Sequence, residues 1–124
     1  MKPIGPIPPA FADQRGMLLI AGRPADAWVA EHGSPMFVYD VGVVREKVAR
    51  FRAAMPAGVR LHYAVKANPF VPLVQAIAPL VDGLDVASAG ELAEVLTFKP
   101  GVAISFAGPG KRDAELEAAV CAGV

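Results

Sequence analysis

Cysteine is nearly absent: Cys121 is the single one in 124 residues. That excludes an intrachain disulfide and a cysteine-built metal cluster, and it suits a reduced, cytosolic setting. An excess of charge of one sign is missing as well. Twelve basic residues balance twelve acidic ones, for a formal net charge of zero. The chain therefore lacks the basic surplus that would point to nucleic acid or to an anionic membrane surface as a partner. No apolar run is long enough to cross a bilayer, since Met17-Leu18-Leu19-Ile20-Ala21 falls far short of the roughly 20 residues needed. Four prolines in the first nine residues are foreign to the apolar region of a signal peptide. The reading is a soluble, non-secreted chain. With 54% hydrophobic and 19% charged residues, it has the composition of a packed domain with a core of its own.

The same prolines exclude regular helix and strand pairing, so residues 1–16 read as an extended arm. Met17 to Ile20 reads as a short strand closed by a turn at Gly22. Pro24 opens a short helix through Trp28 and His32, and Gly33 is placed to end it. Ser34-Pro35-Met36-Phe37-Val38-Tyr39-Asp40 has the branched and aromatic content of a strand. Asp40 can cap the next helix, on which Val44, Val48, Phe51 and Met55 recur at helical spacing before Pro56 and Gly58 stop it.

From residue 60 a unit repeats. A strand over 60–65 leads to Lys66 and a helix from about 69 to 80. A strand over 83–87 leads to Ser88 and a helix over 89–97, and a strand over 102–107 leads to Gly108 and a helix over 113–121. The three strand ends, at 66, 88 and 108, lie 22 and 20 residues apart. Short, nearly all-apolar strands separated by helices are the pattern of parallel strands buried on both faces. The even period, and the absence of a G-x-G-x-x-G or P-loop after any strand, favour an α/β barrel over a doubly wound sheet. A complete barrel needs eight such units and roughly 250 residues. This chain supplies about three, which implies a truncated protein whose apolar sheet edge is left open.

Polar residues gather at the strand ends, where barrels carry their active sites. Lys66 ends an apolar strand. Its stem could pack on apolar neighbours while the amine reaches water. Alternatively, burial could lower its pKa and make the neutral amine that a Schiff-base lysine requires. Asp85 lies inside the apolar strand Gly83-Leu84-Asp85-Val86-Ala87. A carboxylate there needs a partner, and Lys66 one strand away is the obvious one. Ser88-Ala89-Gly90-Glu91 fits a capping box without any catalysis, and Asn68 and Pro69 fit a helix N-cap and first helical residue. Gly108-Pro109-Gly110 could present backbone N–H groups to an anion or be an ordinary turn. Lys111 and Arg112 read as solvated, and His62 and Trp28 as packing residues.

Read together, Tyr63-Ala64-Val65-Lys66-Ala67-Asn68-Pro69 and Gly83-Leu84-Asp85-Val86-Ala87-Ser88-Ala89-Gly90-Glu91-Leu92 closely resemble the fold-type III PLP-dependent decarboxylases. These are the diaminopimelate, ornithine and arginine decarboxylases. The 34–40 segment resembles their strand leading into the barrel, and Ile104 to Lys111 their third strand and turn. The wording is most similar to the decarboxylases associated with exosortase systems. The resemblance implies residues 1–40 as arm, short helix and entering strand, and residues 41–124 as the first part of a PLP-binding (β/α)8 barrel. A C-terminal β domain and a homodimer would complete the intact protein. It implies pyridoxal 5'-phosphate as cofactor, Lys66 as the residue forming the internal aldimine, and Asp85 as an acidic residue close to both. The reaction would be loss of an amino acid's α-carboxylate as CO2. The family's ring-stacking histidine, phosphate loop, pyridine-nitrogen partner and reprotonating cysteine all lie later in the chain, and Cys121 is not the last of these. Alone, the 124-residue chain is expected to be inactive.

Alanine racemases also place a PLP lysine after their first strand, but they follow it with a Tyr-Gly-His-Gly type sequence where this chain has Asn68-Pro69-Phe70. A small non-catalytic PLP-binding barrel would lack the 37–40 strand. An inactive gene fragment stays compatible with the short count.

Overall fold

The computed structural model describes residues 8–11, 16–98 and 100–124. The chain divides into two units, residues 1–43 and residues 44–124.

In the first unit, β1 (Leu19–Ile20) pairs antiparallel with β2 (Arg23–Pro24). The connection is two residues long, with Ala21 at φ 52° and Gly22 at φ 75°. Positive φ at both positions is the type I′ geometry, whose twist matches that of the strands. Glycine accepts this freely and alanine does so at a cost. Helix α1 (Ala25–His32) follows directly and ends at Gly33, as its sequence position suggests, with a φ of 82° that glycine adopts readily. Trp28 donates its indole N–H to the Ile20 carbonyl at 3.2 Å and lies under the Arg23 guanidinium. It therefore binds helix to hairpin.

Two expectations change here. Residues 34–40 form no strand; they run irregularly to Asp40, with Phe37 90% exposed. A strand is stabilised by ladder pairing as well as by its side chains, and the two sheets are built from β1–β2 and from the three parallel strands of the second unit. Most of the proline-rich arm lies outside the described residues, and Pro9–Phe11 within it forms a 3-10 turn. Asp40 acts as expected: its Oδ1 accepts from the Gly42 N–H at 2.7 Å and opens α2 (Val41–Ala54).

The second unit holds β3 (His62–Ala64), α3 (Val71–Ile77), β4 (Gly83–Val86), α4 (Ala89–Thr97), β5 (Ala103–Phe106) and α5 (Asp113–Cys121). The strands are parallel in the order β3-β4-β5. The register sets His62 beside Gly83 and Ala103, Tyr63 beside Leu84 and Ile104, and Ala64 beside Asp85 and Ser105. Because strand side chains alternate, the two faces of the sheet separate cleanly. One face carries Tyr63, Leu84, Val86, Ile104 and Phe106 into a core with Leu73, Val74 and Ile77 of α3, Leu92 and Val95 of α4, and Ala119 of α5. The other presents His62, Ala64, Gly83, Asp85, Ala103 and Ser105. Strands buried alike on both faces were the expectation; this sheet is apolar on one face and small or polar on the other.

Three local details also differ. The strand before Lys66 stops at Ala64, and Val65–Ala67 is a 3-10 turn. Helix α3 begins at Val71, two residues later than its N-cap signal suggests. Asn68 Oδ1 instead accepts from the Phe70 N–H at 3.1 Å, an Asx turn ahead of the helix. The capping box of α4 is half formed. Ser88 Oγ accepts from the Glu91 N–H at 3.2 Å, whereas the Glu91 carboxylate reaches one residue further back, to the Ala87 N–H.

An ion pair anchors α2 to the sheet. Asp82 Oδ2 accepts from Arg52 Nη1 at 2.6 Å and from the Leu61 N–H at 2.7 Å. The Arg52 hydrogen bond, then that from Leu61, holds the carboxyl at about 2 instead of its ordinary 3.8. A depressed carboxyl contributes stability that is complete above its ordinary pKa and is lost as pH falls through the folded value. Acid unfolding followed by circular dichroism is therefore expected to become less steep between about pH 4 and pH 2 in Asp82→Asn. An unchanged acid limb would show that the pair does not contribute to folding.

Candidate functional site

Parallel strands bring all their C-terminal ends to one edge of the sheet. On this edge lie the turn carrying Lys66, the Ser88 N-cap two residues past β4, and Gly108 two residues past β5. Gly108 has φ 105°, and a Cβ there would sit 3.5 Å from the Ala87 carbonyl oxygen. The turn after β5 lies against the one after β4, and the positive φ at Gly108 is a conformation that glycine adopts readily.

Lys66 is exposed, and it has no hydrogen-bond or ion-pair partner among the described residues. The sequence left open an amine that reaches water and one desolvated by burial. The 3-10 turn accounts for the first, because it turns Val65 into the core at 1% exposure and leaves Lys66 outside it.

Asp85 occupies the inner face of β4 and is half-buried. Its partner is not Lys66. Ser105 Oγ donates to Asp85 Oδ1 at 2.8 Å from the neighbouring strand, level in register. Ser105 also lies 3.4 Å from His62 Nδ1. Sequence reasoning assigned His62 to packing and gave Ser105 no role. The signal that would have found both is their parity: 62, 85 and 105 all fall on the strand positions whose neighbours are Ala64, Gly83 and Ala103.

The Gly108-Pro109-Gly110 turn is followed by a lysine that is tethered at the exposed surface. Lys111 Nζ donates to the Gly108 carbonyl and lies 5.1 Å from the centre of the Phe106 ring. Glu115 joins the neighbouring helix starts. Its carboxylate accepts from the Arg112 N–H at 3.0 Å and the Ala89 N–H at 3.2 Å, and these two bonds hold its pKa below the ordinary range.

Comparison with known proteins points to one family. The pyridoxal binding domain of the pyridoxal-dependent decarboxylases matches residues 41–124. A Staphylococcus aureus protein, 2-[(L-alanin-3-ylcarbamoyl)methyl]-2-hydroxybutanedioate decarboxylase, is 39% identical over 88 residues, which make up 71% of this chain and 22% of that protein. The diaminopimelate decarboxylase of Mycobacterium bovis is 37% identical over 113 residues, 90% of this chain and 25% of the relative. The crystal structure of AQ1208 from Aquifex aeolicus superposes with a TM-score of 0.78 at 33% identity, covering 94% of this chain and 29% of that one. The chain spans about a quarter of the length of the curated relatives it matches.

Proposed function

The chain belongs to the pyridoxal-dependent decarboxylases, within their pyridoxal binding domain, and from that premise we propose that Lys66 is the residue that holds pyridoxal 5'-phosphate in a decarboxylase acting on an amino acid. One observation carries the assignment: an unpartnered, exposed amine stands at the C-terminal edge of a parallel sheet whose inner face is polar. A primary amine free of ion pairing is the donor that an aldehyde cofactor requires, so the residues present fit the group. When bound, pyridoxal phosphate supplies an aldehyde carbon for amines and a ring that takes up the electron pair left when an α-carboxylate departs as CO2.

The chain's own residues have simpler tasks. Lys66 provides the nitrogen that ties the cofactor down and can carry a proton once released from it. Asp85 holds negative charge on the inner face. Its Oδ2 has no hydrogen-bond partner among the described residues, so it can favour a protonated nitrogen brought near it.

Diaminopimelate is the proposed first substrate to test, on the strength of the similarity to diaminopimelate decarboxylases. The link to exosortase systems rests on the wording of the sequence, and the homodimer on the family resemblance. A cytoplasmic setting rests on the lone cysteine; among the described residues no helix is long and apolar enough to cross a membrane. The natural-length protein is expected to release CO2 from carboxyl-labelled diaminopimelate only when loaded with pyridoxal phosphate. Exchange of the α-proton without CO2 release, across a panel of amino acids, would instead indicate a racemase.

A further inference from the structure

The polar row on the inner face has a direction that follows from counting protons. Ser105 Oγ lies 2.8 Å from Asp85 Oδ1, 3.4 Å from His62 Nδ1 and 3.5 Å from the Leu84 carbonyl oxygen. A hydroxyl has one proton and two lone pairs. The carboxylate is both the nearest and the strongest acceptor, so the serine proton goes to Asp85. A serine lone pair then faces His62 Nδ1, and that nitrogen must carry a hydrogen for the contact to be attractive.

We infer that His62 and Ser105 are positioning residues for Asp85. Donors run from His62 Nδ1–H to Ser105 and from Ser105 Oγ–H to Asp85 Oδ1, across three parallel strands, and hold the carboxylate in one rotamer with Oδ2 left for the cofactor. The row also has a built seat for the ring. His62 is level in register with Gly83, and a Cβ on Gly83 would stand 2.5 Å from ring Cε1, so any side chain there would displace the imidazole. Ala103, on the same level in β5, is small too. The glycine that sequence reading treats as the start of a strand is what admits the histidine. This inference rests on Asp85 being a cofactor-side carboxylate.

The test uses the protein at its natural length and two separate readouts. Nitrogen-15 NMR of the histidine side chains, with His62 assigned through His62→Phe, is expected to show neutral His62 protonated on Nδ1. Ser105→Val keeps the shape but removes the hydroxyl; it is expected to weaken retention of pyridoxal phosphate about tenfold without lowering the thermal midpoint. Ser105→Thr is expected to restore retention to within about twofold of wild type. Asp85→Asn should weaken retention as well. A neutral His62 protonated on Nε2 overturns the donor chain. Unchanged retention in Ser105→Val, while Asp85→Asn is weakened, overturns the positioning role. Unchanged retention in Asp85→Asn strikes the reading of Asp85 itself, and the NMR result then decides the donor chain alone.

Discussion

Lys66→Ala is expected to abolish covalent retention of pyridoxal phosphate. After borohydride reduction and denaturation, wild-type protein should carry the cofactor on a peptide containing Lys66, and the variant should carry none. Turnover should fall by on the order of 10²–10⁴ or more, because the same nitrogen can serve in proton transfer once it is released. Lys66→Arg separates the two properties of the side chain. A guanidinium keeps the positive charge but never offers a neutral amine at physiological pH, so it should fail to attach the cofactor as completely as alanine does. If Lys66→Ala kept a reducible covalent cofactor at full occupancy, the assignment of Lys66 would be wrong. The exposure of Lys66 makes this a clean experiment. The side chain contributes nothing to the core, and its removal should leave the denaturation midpoint of the cofactor-free protein where it was.

The largest expected effect on stability lies on the other face of the same sheet. Leu84 is 0% exposed, is flanked in register by Tyr63 and Ile104, and belongs to the core shared with α3 and α4. Leu84→Ala should cost about 2–5 kcal/mol, the sum of lost transfer energy and the cavity left in the middle of the sheet. Leu116 on α5 is 44% exposed, and Leu116→Ala should change stability by only about 0.5 kcal/mol. Urea denaturation of both variants checks the contrast. Equal effects would mean that the apolar layer seen here is not the folding core. The two sets of variants also separate the roles of the faces: Leu84 should set stability with the site chemistry intact, and Lys66 the reverse.

Much of this architecture is legible in the chain. The helix over 89–97 occurs where its Ser88 cap places it, the helix over 113–121 where the βα period does, and the three parallel strands follow from their apolar content and even period. These are local signals, in which each residue reports mainly on its own neighbours. The failures are non-local. Phe37 and Val38 have strand-forming side chains, yet the 34–40 segment forms no strand. The carboxylate of Asp85 needed a donor, and the nearest candidate by reasoning was Lys66, one strand back. The donor is Ser105, one strand forward, because register sets 85 level with 105 and the strand before Lys66 has already ended.

The lysine at the strand end, the carboxylate inside the next strand and the βα period are properties of the sequence alone, since each depends on residue type and spacing. The partners of those groups belong to the tertiary structure. Whether Lys66 is covered or free depends on a 3-10 turn that buries Val65 and turns the next residue out. Whether Asp85 is paired, and which oxygen stays open, depends on which strand lies beside it and at what level. Side chains 20 residues apart, as Asp85 and Ser105 are, meet only because parallel pairing sets their register.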